Sequence, residues 1–118
     1  PYVLNYLAYS WLDRNLNLDK AVKLLEKAVE LEPNDGYIID SLGWAFYLTG
    51  LIDKSIFYLE KAVSMMPNDA TLNDHLGDAY WKSGRRKEAS SQWKRVLIIE
   101  PNFKNKEKIL EKLELGIK

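Results

Sequence analysis

The sequence predicts an all-α fold in which three helix–turn–helix repeats stack into a solenoid and a capping helix follows. Prolines recur at positions 33, 67 and 101, each 34 residues after the one before. Residues 42–68 are copied closely in residues 76–102, and residues 7–34 form a looser copy with one extra residue near Asn15–Leu18. A fixed period of this length is typical of stacked repeats and not of an ordinary globular domain.

Each period contains two helical patterns separated by a turn. Residues 36–48 carry apolar side chains at helical spacing, and Gly50 follows where helices often end in a left-handed residue. A second pattern over about residues 53–65 stops before Pro67, because a proline disfavours helical geometry in the residue ahead of it. Side-chain oxygens that can cap the next helix then follow, at Asn34–Asp35 and Asn68–Asp69.

Small residues predict where the helices touch. Gly43 and Gly77 lie in first helices, and Ala21, Ser55 and Ala89 lie early in second helices. Larger side chains at these positions would hold two helices beyond the usual axis separation of about 8–10 Å. Each hairpin alone leaves an apolar face in water, so we expect the repeats to stack and bury a continuous strip.

The first helical pattern is apolar nearly all round, and the chain starts inside it with Pro1. A terminal repeat would carry a polar outer face, so we expect a fragment of a longer protein, in which an upstream repeat covers this helix. The same apolar surface would allow self-association of the fragment through Tyr2, Leu4 and Trp11.

Half of residues 103–118 are charged, which predicts a polar capping helix that Gly116 ends. The charged side chains, Lys112 among them, are expected to cover its outer surface. The apolar side chains expected to lie on the third repeat are Phe103, Leu110 and Leu113, with Ile109 nearby.

Composition excludes several classes of protein. Lys+Arg and Asp+Glu number 17 each, so no overall field attracts the chain to nucleic acid or to an anionic membrane. The sequence has no cysteine, which removes disulfides, cysteine–zinc sites and thiol chemistry and suits both the cytoplasm and the periplasm. No apolar run approaches the roughly 20 residues of a membrane span, so we expect no membrane insertion.

The repeat unit resembles the tetratricopeptide repeat (TPR) family. The resemblance covers residues 1–102 and rests on motifs that include Leu42-Gly43, Phe46, Ser55, Leu59, Ala62 and Pro67, and Leu76-Gly77, Tyr80, Ala89, Trp93 and Pro101. It implies a single domain that forms a right-handed α-solenoid, with repeats at about 1–34, 35–68 and 69–102 and the capping helix at 103–118. It also implies that the first helices line a concave groove that binds partners, and that there is no enzyme activity and no cofactor.

Family geometry carried onto this sequence predicts a groove that is aromatic and acidic. We therefore expect a peptide or protein partner with apolar side chains and Lys or Arg, because aromatic faces attract cations and anchor interfaces. Two alternatives stay open: the aromatic rings only pad the inner wall, or the chain is a structural segment of a longer array without a separate ligand. The predicted groove residues are Asn5, Tyr9, Asp13, Tyr37, Asp40, Trp44, Tyr47, Asp74, Asp78, Trp81 and Lys82.

Other chemistry has little support in the sequence. His75 is the only histidine, so a metal site would lack a second nitrogen or sulfur ligand, and we expect a partly solvated groove residue. The carboxylate pair Asp40 and Asp74 does not indicate a catalytic site, because no nucleophile with a base and no oxyanion hole accompanies it. The basic stretch Arg85–Lys87 is expected to face outward and to pair with Glu60 or Glu88. A clamp for a C-terminal carboxylate is not expected, because the required lysine–arginine pair is missing at Asn5, Tyr9, Thr71 and His75.

Overall fold

The computed structural model describes residues 2–15 and 17–117, with the side chains of residues 2–4, 6 and 13 left out of the description. Within this part of the chain the secondary structure is entirely helical, and the predicted all-α solenoid is confirmed. None of these helices has the length and hydropathy that crossing a bilayer requires. The helices are α1 (Tyr2–Asp13), α2 (Leu18–Leu31), α3 (Gly36–Leu48), α4 (Ile52–Met65), α5 (Ala70–Lys82), α6 (Arg86–Ile99) and α7 (Lys106–Leu115).

The helices pack in chain order, so that each one contacts the next from α1 to α7. In addition, α1 contacts α3, and α3 contacts α5. The first helices of the three hairpins therefore stand side by side and form one layer, which we call the first-helix wall (α1, α3 and α5). The second helices α2 and α4 pack between successive members of this wall, as stacked hairpins require.

Aspartates cap the first helices of the second and third hairpins. The Asp35 carboxylate accepts hydrogen bonds from the backbone amides of Tyr37 at 2.9 Å and Ile38 at 3.1 Å. Asp69 accepts one from the amide of Leu72 at 3.1 Å. The first amides of a helix have no partner within the helix, so these carboxylates satisfy donors that would otherwise need water.

The helix-facing glycines permit the close approach that the sequence predicts. A Cβ built on Gly77 would lie 2.5 Å from Trp93 Nε1, and one on Gly43 would lie 2.7 Å from Leu59 Cγ. Ser55, which stands where the other two hairpins carry Ala21 and Ala89, is fully buried and donates its hydroxyl proton to the carbonyl oxygen of Gly43 at 2.8 Å. The serine is tolerated at this contact because its one buried polar group has a partner.

The capping helix packs on the third repeat through Phe103 and Leu113, as predicted, and also through Ile109, but not through Leu110. Ile109 is fully buried with Phe103, whereas Leu110 is 47% exposed, so the expectation that Leu110 lies on the third repeat is wrong. The helix begins at Lys106, after a turn at residues 101–105, and not at residue 103. With this start, Ile109 and the half-buried Leu113 share one face at i, i+4 spacing, and Leu110 turns away from it.

The basic stretch Arg85–Lys87, which follows α5, forms one of the two charge pairs that the sequence suggested. Arg85 Nε lies 2.6 Å from a carboxylate oxygen of Glu88, and both side chains are nearly half exposed. Glu60 instead accepts a hydrogen bond from the hydroxyl of Tyr80. The predicted pairing with Glu88 is therefore confirmed, and the one with Glu60 is replaced by a tyrosine contact that links α4 to α5.

Candidate partner-binding groove

The predicted groove residues lie on the first-helix wall but differ widely in exposure. Tyr9 and Tyr37 are the most open of the aromatic ones, at 42% and 52% exposed. The side chain of Asp13 lies outside the described residues. Of the remaining predicted groove residues, Lys82 is exposed, and Asp40 and Asp78 are buried. The residues of intermediate exposure are Asn5, Trp44, Tyr47, Asp74 and Trp81.

A stack of three rings joins α3 to α5. The ring of Trp44 lies nearly parallel to Tyr47, with centroids 4.4 Å apart, and to His75, with centroids 4.2 Å apart. Burial, followed by the negative charges of Asp78 and Asp74, raises the pKa of Tyr47 to about 12, so its hydroxyl keeps its proton at neutral pH. The stack is partly internal packing and partly accessible surface, since Trp44 and Tyr47 stay incompletely buried.

His75 is a buried ion-pair partner and not the partly solvated groove residue that the sequence suggested. It is 8% exposed, and its Nδ1 lies 3.0 Å and 3.1 Å from the two carboxylate oxygens of Asp40, which is 4% exposed. Burial alone would lower the pKa of His75, but the Asp40 carboxylate, supported by the charges of Asp74 and Asp78, raises the pKa above its ordinary value. The described residues contain no group of three His, Cys, Asp or Glu placed to hold a metal ion.

The acidic side chains of α5 are held by a lysine from the capping helix. Lys112 Nζ lies 2.9 Å from an oxygen of Asp74, and 2.9 Å and 3.2 Å from the two oxygens of Asp78. Asp78 also accepts a hydrogen bond from Nε1 of the buried Trp93 at 3.1 Å. The expectation that Lys112 only covers the outer surface of the helix is therefore wrong, because its long side chain reaches back to the first-helix wall.

This cluster contains more acidic than basic groups. Three carboxyl groups, Asp40, Asp74 and Asp78, face the ammonium of Lys112 and the imidazole of His75. Burial and the neighbouring charge of Asp74 raise the pKa of Asp78, and Lys112 offsets this only in part. Burial acts to lower the pKa of Lys112, but the two carboxylates raise the pKa above its usual range, which keeps the amine charged.

Trp81 is covered by the last residues of the described chain. Its Nε1 donates a hydrogen bond to the carbonyl oxygen of Ile117 at 2.9 Å. Gly116 lies against the ring so closely that a Cβ there would meet Cζ2 at 2.1 Å, and Gly116 has a positive φ of 73°. Sequence reasoning missed this contact, because it interpreted Gly116 only as the residue that ends the capping helix.

The opposite end of the wall is more open. A pocket of about 280 Å³ lies where α1, α3 and α5 meet, and its lining includes the exposed rings of Tyr9 and Tyr37. The side-chain oxygen Oδ1 of Asn5 is buried there and has no hydrogen-bond partner among the described residues. The wall therefore offers aromatic and polar surface at α1 and α3, while its α5 end is largely covered by residues 112–117. Six of the lining residues are Asn5, Tyr9, Tyr37, Asp40, Asp69 and Thr71.

Comparison with known proteins gives a family match and close structural likenesses. A family model described as tetratricopeptide repeat matches residues 16–35 and 39–69. No match is found among curated proteins.

Among solved structures, the TPR domain of Arabidopsis OM64 has a TM-score of 0.85 at 19% identity, and the match covers 98% of this chain and 95% of that domain. The type III secretion translocator chaperone SycD of Yersinia enterocolitica has a TM-score of 0.85 at 20% identity, over 96% of this chain and 88% of SycD. The first TPR of Spaghetti (RPAP3), solved with the HSP90 peptide SRMEEVD, has a TM-score of 0.79 at 20% identity, over 96% and 92% of the two chains. At these identities the likeness shows the fold.

Proposed function

We propose that this chain, whose repeats match the tetratricopeptide family as the sequence predicted, binds a peptide or extended segment of a protein partner in the groove along α1, α3 and α5. Tetratricopeptide repeats are interaction scaffolds and are generally not enzymes. The observation that carries the finer proposal is the wall of partly exposed aromatic rings beside a cluster that has more acidic than basic groups.

The proposed partner carries apolar side chains together with Lys or Arg. Rigid aromatic side chains are the usual anchors of interfaces, and Tyr9, Tyr37 and Trp44 supply such rings along α1 and α3. A cation over an aromatic face is worth about 0.5–1 kcal/mol at an exposed site and more when water is excluded. Because Asp40 already pairs with His75, a partner's cation gains from the surplus of acidic groups in the cluster more than from a direct bond to Asp40.

A peptide ligand of the opposite charge is disfavoured. The first TPR of Spaghetti (RPAP3) was solved with the HSP90 peptide SRMEEVD, which has three acidic residues and one arginine. The corresponding face of this chain presents Asp40, Asp74 and Asp78, and the lysine–arginine pair that would hold a carboxylate is replaced by other residues. We therefore expect this chain to select basic peptides and to leave SRMEEVD unbound.

Selection from a library of random twelve-residue peptides on the purified chain tests the proposal. Enriched peptides should carry Lys or Arg with apolar residues, and their affinity should fall at least tenfold for Tyr37→Ala and for Trp44→Ala. The matched control is Phe57→Ala, because Phe57 is a 62% exposed aromatic on the second helix α4. Peptides that bind the two groove variants as well as the parent chain would overturn the groove proposal.

The alternative function, a structural or self-associating segment, makes a separate prediction. Trp11 packs against the core of the first hairpin, so part of the surface offered for self-association is used within the fold. The side chains of Tyr2 and Leu4 lie outside the described residues. Light scattering that shows a concentration-dependent dimer, lost in Leu4→Ser, together with no peptide enrichment, would favour this alternative over groove binding.

A further inference from the structure

The last residues of the described chain contact the first-helix wall in three chemically distinct ways. The ammonium of Lys112 lies between the carboxylates of Asp74 and Asp78. Gly116 allows the backbone to lie against the indole of Trp81. The carbonyl oxygen of Ile117 accepts the indole N–H of the same tryptophan. A cation, a close backbone approach and a main-chain acceptor are the contacts that a bound peptide segment would make with these residues.

The site formed by Asp74, Asp78 and Trp81 is largely covered by this occupant but is not sealed. The side chains of Asp74 and Lys112 are 13% and 20% exposed, so neither is sealed from solvent. One ammonium faces two carboxylates, and the charges of Asp74 and Asp78 act on both Tyr47 and His75, which stack on Trp44. The site therefore lies near the ring stack of the proposed groove, and its two carboxylates outnumber its one resident cation.

The two ends of the capping helix are attached differently. Its start is held by apolar burial of Ile109 and Phe103, which pack into the core of the third hairpin. Its last turn and the residues after it are held by the Lys112 pairs, by the hydrogen bond from Trp81 and by partial burial of Leu113 and Ile117, while Leu115 is exposed. A partner's cation can replace the Lys112 ammonium between the same two carboxylates, so the exchange leaves neither carboxylate unpaired, and residues 112–117 can be displaced while the start of the helix stays packed.

We propose that residues 112–117 occupy a binding site for a partner. The site, formed by Asp74, Asp78 and Trp81, binds a Lys or Arg of a partner segment, and this segment displaces residues 112–117. The occupant is a basic segment with an apolar residue about five positions after its Lys or Arg, since Lys112 and Ile117 have this spacing. This inference rests on the proposed function only in placing the partner in the groove. The tether gives the resident segment a high effective concentration, so a free peptide competes with it poorly in the parent chain.

The test uses the full chain with Lys112→Glu and, as probe, a fluorescent peptide that copies residues 110–118, LEKLELGIK. The glutamate is repelled by Asp74 and Asp78, so the resident segment no longer competes, and fluorescence anisotropy should show at least tenfold tighter peptide binding than to the parent chain. The same peptide with methionine in place of the lysine that copies Lys112 should not bind. Adding Asp74→Asn to the variant should weaken binding again, and this change spares the bond between Asp78 and Trp93.

Folding of each variant is checked by its helical circular dichroism, and Lys112→Met provides a second, less perturbing variant that also removes the resident ammonium. Release of the segment is read independently from the indole N–H resonance of Trp81, which should shift when Lys112 is replaced. A folded Lys112→Glu or Lys112→Met chain that binds the probe no better than the parent, or that binds the methionine peptide equally, would overturn the inference. Because the probe is the chain's own segment, such a failure is distinct from a failure of library peptides to bind at Tyr37 and Trp44.

Discussion

The contact between Gly77 and Trp93 allows a sharp test of the stacking geometry. A Cβ on residue 77 would lie 2.5 Å from Trp93 Nε1 and 2.7 Å from its Cδ1, which is closer than atoms can pack. The indole cannot easily move away, because Trp93 is 1% exposed and its Nε1–H donates to Asp78. Replacing Gly77 by alanine therefore forces either the ring or the whole helix α6 to shift.

The expected magnitude for Gly77→Ala follows from three opposed effects. Alanine favours a helix interior over glycine by about 1 kcal/mol. Overpacking a closed core costs about 1–3 kcal/mol, and disturbing the buried hydrogen bond from Trp93 costs about 1–3 kcal/mol more. We therefore expect the free energy of unfolding to fall by about 1–5 kcal/mol, measured by urea denaturation with circular dichroism.

Gly36→Ala is the matched control, because its added Cβ would meet only the flexible end of Met66, at 2.9 Å from Cγ and Sδ. That side chain can rotate away, so the control should stay within about 1 kcal/mol of the parent chain. A Gly77→Ala chain as stable as the parent would refute the stated approach of α5 and α6, and with it the repeat register on which the groove residues depend.

Three further predictions concern polar contacts, and urea denaturation measures each. Lys112→Met should lower the free energy of unfolding by about 1–3 kcal/mol, because Asp74 and Asp78 lose their shared cation at a mostly buried site; no loss would mean that the pairs are absent in solution. The pKa of His75 is raised in the folded chain, so the stability from its pairing with Asp40 is complete below the unfolded pKa of about 6.5 and is lost as pH rises through the folded pKa. The stability advantage of the parent over His75→Gln should accordingly shrink from pH 6 to pH 9, and a constant difference would contradict the ion pair. Asp35→Ala should cost about 0.5–2 kcal/mol through loss of the cap on α3, whereas Asn34→Ala, one residue earlier, should be nearly neutral.

Much of the fold could be predicted because it depends on local rules that repeat along the chain. The spacing of prolines and apolar residues predicted the three hairpins, and aspartates ahead of α3 and α5 predicted caps that the structure contains. The glycines in the first helices predicted close approach, since only a missing Cβ admits Trp93 or Leu59 at that distance. Helix boundaries, caps and small-residue contacts are set by residues near one another in sequence or one period apart, so a single sequence reveals them.

The candidate site could be predicted only as a list of positions. Sequence periodicity assigned Asp40, Asp74 and Asp78 to the first-helix wall, but their partners were not evident from residue type. A lysine on a charged helix is normally solvated, and a lone histidine carries no sign of its neighbour. Whether the groove residues bind a partner stays a prediction, whereas their contacts within the chain are now described.

The sequence by itself determined the repeat, the helices and the face on which the groove residues lie. These features depend on the spacing of apolar residues and on side-chain size, and the same local pattern occurs in each repeat. Only the tertiary structure decided which charges meet. His75 lies 35 residues from Asp40, and Lys112 lies 38 from Asp74, so both pairings depend on how one helix docks against another. The reach of a flexible side chain across that junction, and the start of α7 at Lys106, are set by packing in three dimensions. For this reason the acidic groove seen in the sequence is, in the folded chain, partly filled by the chain itself.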